Sequence, residues 1–554
     1  MNSWTSPSRP FPRPRSDDTG AGPAKGPRLE PNRRIALNRS ASLHATSPAS
    51  RWWARIVPLL ALLSLAPACG PDAPEAEPAG EAGEVPASLQ VSHAVLQEIA
   101  LRSVDASQVS ANADVLLDEI GARISALPSG EVAEAFVEER LESYGVPRVQ
   151  REPFELLAWD RREASLEIVS GEEEGDDAPS LNILSLGHVG SHVVEASVVD
   201  AGFGTAEEIE ALGGEVEGAI VLADVGQPSG YGRGVHRTEK ITLATEAGAA
   251  GFIQLNTQEG PRIPVGVATM GDESTEIPAV AADRATGEHL RAVLEQDGEL
   301  VVRLHVENWM ERSTASNIIG EIPGETDEVV LVGAHLDSWD LATGALDNGS
   351  GTLAVLDMAR TLAAHVERTG QTPRRTIRFA FWMGEELGLY GSIAHVDGLS
   401  ETSELDRYAA ILNLDVVGAP TGLGAMGRPE AAPLLSAVRE ALVAVDFELD
   451  PEHPVGGGIY SDHQPFLLEG IPVVTLQSRQ RPEASGVMHT MDDVRDVLDE
   501  RGIARSAAVS AALLWALAME ESLPMARWGT DETGERLEEL GVRDPLERAG
   551  NWRW

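Results

Sequence analysis

The chain has 554 residues, 42% of them hydrophobic, and a formal charge of −45 at pH 7. That length exceeds one simple domain and supplies a sizeable core. Residues 1–69 hold ten Lys/Arg against three Asp/Glu, so the rest carries about −52, a surface that repels phosphate backbones and excludes nucleic acid as a partner. The single cysteine, Cys69, excludes a disulfide framework and any thiolate metal site.

In chain order, Arg51 and Arg55 precede an apolar run over 56–66, too short to span a membrane and suited to a signal-peptide core. Small residues then lead to Cys69, as in a bacterial lipoprotein signal, so Cys69 is the expected lipidation site and simple cleavage after Ala68 the alternative. Residues 1–69 therefore read as a leader, and 70–95, rich in Pro, Ala, Gly and Glu, as a disordered acidic tether. An α/β unit is expected from 96 to 185, with helices through Leu116, Ile120 and Ile124 and from Ser129 to Gly145. Strands are expected over 153–159 and 164–169. Residues 186–305 differ in texture, with short strands over 193–199, 218–223, 251–255, 279–282 and 300–306 punctuated by Gly and Pro. His188, His192, His236, His289 and His305 lie there and read as ordinary histidines. The α/β pattern resumes over 306–524, with strands expected over 316–322, 329–332, 376–383, 409–414 and 471–476 and a long helix over 501–519. Strands alternating with helices predict a mainly parallel, doubly wound sheet. The charged tail, 525–554, has no assigned role.

Candidate ligands fall at the ends of the apolar strands. His335, Asp337, Asp340 and Asp347 follow the first, Glu385 and Glu386 the second, Asp415 the third and His489 the fourth. Ligands collect beyond the carboxyl ends of strands in such sheets. Imidazole with carboxylate suits zinc or a similar divalent ion, and five ligands suit two ions sharing a carboxylate, for which Asp347 is the natural bridge. Asp337, two residues after His335, can take its spare N–H. Glu385 and Glu386 point apart on extended backbone, so one can bind metal while the other takes a proton from water.

The segments GAHLDSWDLATGALDNGSG, WMGEELGLYGS, LNLDVVG, YSDHQPFLLEGIP and MHTMDD resemble the di-zinc aminopeptidases of the MH clan, and within it most the carboxypeptidase Q family. The stretch TLATEAGAAGFIQLN resembles part of a protease-associated (PA) domain. The resemblance implies a phosphorylase/hydrolase-like three-layer α/β sandwich with an inserted, β-rich PA-like domain. It implies two zinc ions, one on His335, Asp347 and Asp415 and the other on Asp347, Glu386 and His489. Glu385 would be the base, Asp337 the partner of His335, and Asp347–Asn348 a cis peptide. Asp493 would orient His489, and Asp462 and His463 would line the substrate pocket. Many relatives have Tyr where this chain has Met488, so Tyr460 is the candidate oxyanion donor. The implied activity is that of an exported aminopeptidase or dipeptidase acting on short peptides. Its membrane contact would come only through a lipid anchor, with room for a homodimer. A glutaminyl-cyclase-like acyltransferase and a non-catalytic receptor are the alternatives.

Overall fold

The computed structural model describes residues 90–169 and 181–554. The leader with Cys69, and most of the tether, lie outside the described residues. Twelve strands follow in chain order: β1 Arg148–Ile168, β2 Ile183–Ser185, β3 His192–Asp200, β4 Ile220–Asp224, β5 Gly251–Leu255, β6 Ala279–Ala282, β7 Val301–Ile322, β8 Val329–His335, β9 Thr376–Trp382, β10 Tyr408–Asn413, β11 Ala419–Ala425 and β12 Val473–Arg479. They form one path, β11-β12-β10-β8-β9-β7-β3-β4-β5-β6-β2, with β1 also paired to β7.

Strands β8, β9, β10 and β12 run parallel, their apolar residues packed on both faces. The alternation assigns each side chain. Val330, Val332, Ala334, Phe379 and Phe381 join one core cluster, with the helices Ser350–Thr369 and Glu500–Met519. Val329, Leu331, Ala380 and Trp382 join a second, with Val396 of the helix Tyr390–Ser400, Phe466 and Leu537. Helices on both faces of a mixed sheet make the three-layer sandwich. Glu500–Met519 is apolar enough to cross a membrane, yet it is buried inside this sandwich.

Several expectations change. The strands expected over 153–159 and 164–169 are one strand, β1, and those over 300–306 and 316–322 are one strand, β7. The two pair antiparallel from Arg148↔Glu321 to Ile168↔Val302, with one bulge at Arg161/Glu163. β7 pairs with β9 at one end and β3 at the other, so backbone pairing runs unbroken across residue 305. The sheet is therefore mixed rather than mainly parallel. β11 had no apolar signal, because Pro420, Gly422 and Gly424 interrupt it; it is an edge strand, where such residues are tolerated. The tail is part of the sandwich. Its helices Thr530–Glu539 and Arg543–Arg548 bring Trp528, Leu537 and Leu546 into the second core, with Trp552 and Trp554 packed against it.

Candidate metal centre

His335 ends β8, and Asp347 lies in the turn before the helix Ser350–Thr369. This turn is tied to the end of β10. Asn348 Nδ2 donates to the Leu414 carbonyl at 3.0 Å, and Gly351 packs so closely there that a Cβ would stand 2.1 Å from the same oxygen. Asp347 and Asp415 are thereby held on one side of His335. The Asp347–Asn348 peptide is cis.

The five candidate ligands converge. His335 Nε2 lies 3.1 Å from Asp347 Oδ1 and 3.4 Å from Asp415 Oδ1. His489 Nε2 lies 3.0 Å from Asp347 Oδ2 and 3.1 Å from Glu386 Oε2. The two oxygens of Asp347 thus face two different imidazoles, and two ligand triads share that one carboxylate. His335 Nε2, Asp415 Oδ1 and Glu386 Oε1 are buried with no hydrogen-bond partner. Orphaned buried polar atoms are costly, and a cation in the first triad would satisfy His335 Nε2 and Asp415 Oδ1. Burial favours neutral imidazole, yet the nearby carboxylates of Glu385, Asp415, Asp337 and Asp347 raise the His335 pKa well above its usual value. His489 is pushed up to about 10 in the same way, by Glu386 and Asp347 against burial. The field of this pocket favours positive charge, and the N/O donor set fits a divalent metal.

Glu385 is half-buried beside the triads. Burial, Glu386, Asp415 and Asp462 push its carboxyl well above the ordinary range against the pull of His335. Asp337 is buried, and its placement differs from expectation. His335 Nδ1 is nearer the Asp337 main-chain oxygen, at 3.2 Å, than its carboxylate, at 3.6 Å. That carboxylate instead accepts from the Glu385 and Glu386 amides, at 3.2 and 3.3 Å, and from the Ser125 hydroxyl at 3.1 Å. It fixes the turn that carries both glutamates.

Other expected residues have different neighbours. Asp493 faces the Leu346 and Asp347 amides, at 2.6 and 3.1 Å, rather than His489. His489 Nδ1 faces the Val265 carbonyl at 3.1 Å, a main-chain group of the insert. Tyr460 stacks on His236 at 4.5 Å, and the charges acting on its phenol are Glu239 and Arg233. Asp462 is fully buried with both oxygens unpartnered, so it does not line an open pocket; Ser461, beside it, donates to Asp415 Oδ2 at 2.7 Å. His463 faces the Gly458 carbonyl at 2.9 Å and orders the glycine-rich loop. Asp340 is no ligand, because Arg161 holds it with two bonds of 2.8 and 2.9 Å.

Three supports escaped the sequence reading. Arg123 is fully buried, and its guanidinium donates to the carbonyls of Gly121, Leu336, Thr343 and Gly344, stapling the loop between His335 and Asp347. The Trp339 indole donates to Glu386 Oε2 at 2.6 Å. Arg237 stands on the insert with Glu386, Glu385 and Asp347 as the charges acting on it. None is a ligand type in a ligand spacing. The Trp in the Ser-Trp-Asp run after β8 was the one available hint.

Residues 317–514 match the model for peptidase family M28, and residues 193–290 match the PA domain. Mouse carboxypeptidase Q is 26% identical over 426 residues, 74% of this chain and 86% of that protein. Leucine aminopeptidase 2 of Trichophyton rubrum is 29% identical over 298 residues, and there the chain spans about half of the relative, 55%. The crystal structure of a peptidase M28 precursor from Shewanella amazonensis superposes with a TM-score of 0.66 at 25% identity, covering 79% of this chain and 99% of that one. The matched segments carry the shared-carboxylate cluster on one side and the insert that reaches His489 on the other, so the cluster lies in a region similar to peptidase family M28 and the insert in one similar to a PA domain.

Proposed function

We propose that the chain is a zinc-dependent exopeptidase that removes the first residue of short peptides. The observation that carries this is Asp347, whose two oxygens face His335 and His489 in separate triads, with Glu385 alongside. Two zinc ions, one on His335, Asp347 and Asp415 and one on Asp347, Glu386 and His489, would polarise the peptide carbonyl and make a water acidic near neutral pH.

The side chains do the rest. Glu385 takes the proton of the attacking water and delivers it to the departing amine, a role suited to a carboxyl whose pKa burial has raised. Asp337 holds the Glu385–Glu386 turn through its amides, so base and ligand keep a fixed offset. The Trp339 indole and the Ser461 hydroxyl each occupy one lone pair of a ligand carboxylate, fixing the oxygen that faces the cluster. Dense negative charge beside the triads favours the free α-ammonium of a peptide. The complete second triad supports this reading over a one-metal cyclase.

A panel of dipeptides and aminoacyl anilides, assayed with and without a chelator, tests the proposal. Hydrolysis lost to the chelator and restored by zinc supports it; hydrolysis that survives metal removal refutes it. Export with Cys69 as lipidated first residue belongs to the same proposal, checked by the mass of the mature N-terminal peptide.

A further inference from the structure

We propose that the second metal site, on Asp347, Glu386 and His489, is completed by the insert, so that filling it and seating the insert are one linked equilibrium; this rests on the two-ion reading above. The first site, on His335, Asp347 and Asp415, fills independently of the insert.

Two contacts carry the coupling, one at each unshared ligand of the second site. His489 meets the insert directly. Its Nδ1 lies 3.1 Å from the Val265 carbonyl, and its own carbonyl accepts from the Val265 amide at 3.0 Å. Glu386 meets the insert through Trp339. The indole N–H donates to Glu386 Oε2 at 2.6 Å, the same oxygen that faces His489 Nε2 at 3.1 Å. The far edge of that ring lies against Gly187, where a Cβ would stand 2.6 Å from Trp339 Cη2. Gly187 is bridged to Val267; its amide donates to the Gly266 carbonyl, and its carbonyl accepts from the Ala268 amide, each at 2.9 Å. The segment 265–268 therefore bears on both unshared ligands, on one by its main chain and on the other across Gly187 and a single indole. Trp339 is 7% exposed, and Trp159 packs edge to face on it at 5.8 Å. In so close-packed a setting the ring cannot follow a displaced Gly187 and keep its N–H on Glu386.

The first site has no such tie. His335 Nδ1 faces the Asp337 main-chain oxygen, and Asp415 accepts from the Ser461 hydroxyl. Among the described residues no hydrogen bond joins His335 or Asp415 to the insert. Groups that orient a ligand change metal affinity by about 10–100-fold. Linkage makes the effect reciprocal: whatever docking adds to metal affinity at the second site, metal adds to docking.

The test titrates the metal-free protein with zinc against a competing chelator. Amide exchange over the Val265–Ala268 segment is followed at zero, one and two equivalents. The expected result is two binding steps, with exchange slowing by about tenfold in one step and staying unchanged in the other. Trp339→Phe keeps a ring against Gly187 and loses the N–H; Gly187→Ala keeps the N–H and displaces the ring. Each should lower the constant of the exchange-linked step by about tenfold or more and leave the other within about twofold. Anomalous diffraction from Trp339→Phe crystals at one equivalent of zinc should place the retained ion beside His335. Exchange that slows equally in both steps, or in neither, would overturn the coupling without recourse to any variant. Equal losses of both constants in Trp339→Phe would overturn it too, by showing a general structural role. A single zinc at saturation in the wild type would instead refute the two-ion reading itself.

Discussion

The two walls of the metal cluster are held in different ways. The wall built from β8, β9 and β10 is fixed by buried side-chain bonds: Asp337 to the Glu385–Glu386 turn, Asn348 to Leu414, Arg123 to four carbonyls. The wall supplied by the insert meets it through main-chain groups and a half-exposed ion pair. Val265 faces His489 at both its imidazole and its carbonyl, and Arg262 pairs with Asp492 at 2.6 Å. The first wall is held by buried side-chain bonds to main-chain groups, each of which would be left unpaired if the bond broke. The second rests on fewer side-chain bonds: besides the Val265 contacts it has the Arg262–Asp492 pair and the Arg548–Glu239 pair at 3.0 Å.

Substitutions on the two sides should therefore differ in kind. Glu385→Gln, in the first wall, should lower kcat by about 10³–10⁴-fold while metal content by elemental analysis stays at the wild-type level. A loss under tenfold would assign the base to another group. Arg123→Met should leave four carbonyls without their donor and destabilise the fold by about 3–5 kcal/mol, read as a lowered urea midpoint. In the second wall, Gly266→Ala would drive a methyl into Arg237 and displace the Val265–Val267 segment. Zinc affinity should fall about 10-fold at the His489 triad, by competition with a chelator, with the unfolding midpoint little changed. Arg262→Ala is the smallest change. The pair is 27% and 46% exposed at its two side chains, so stability should move by less than about 1 kcal/mol and kcat/KM by less than roughly twofold. A large effect there would mean that the ion pair, rather than the Val265 carbonyl, holds the second wall.

The first wall was legible in the sequence and the second was not, for a physical reason. Buried parallel strands announce themselves as apolar runs, and a carboxylate or imidazole at the end of such a run has few purposes, so His335, Asp347, Glu386, Asp415 and His489 stood out. Residues that act through main-chain contacts leave no pattern. Val265 is an ordinary apolar residue, Arg123 and Arg237 look like surface cations, and His236 resembles its neighbouring histidines. The β1/β7 ribbon was divided in two because its middle, around Trp309, Met310, Glu311 and Arg312, puts two apolar residues before two charged ones and so loses the alternation of a strand over a half-exposed stretch. Tyr460 and Asp493 were placed by analogy of position, and the structure gives each a different neighbour.

The central claim is that one carboxylate, Asp347, joins two metal sites. Anomalous diffraction at the zinc edge from crystals of the zinc-loaded protein tests it most directly. Two peaks about 3.5–4 Å apart on either side of Asp347, one toward His335 and one toward His489, are the predicted result. A single peak, with the second triad lacking metal at saturating zinc, would contradict the account.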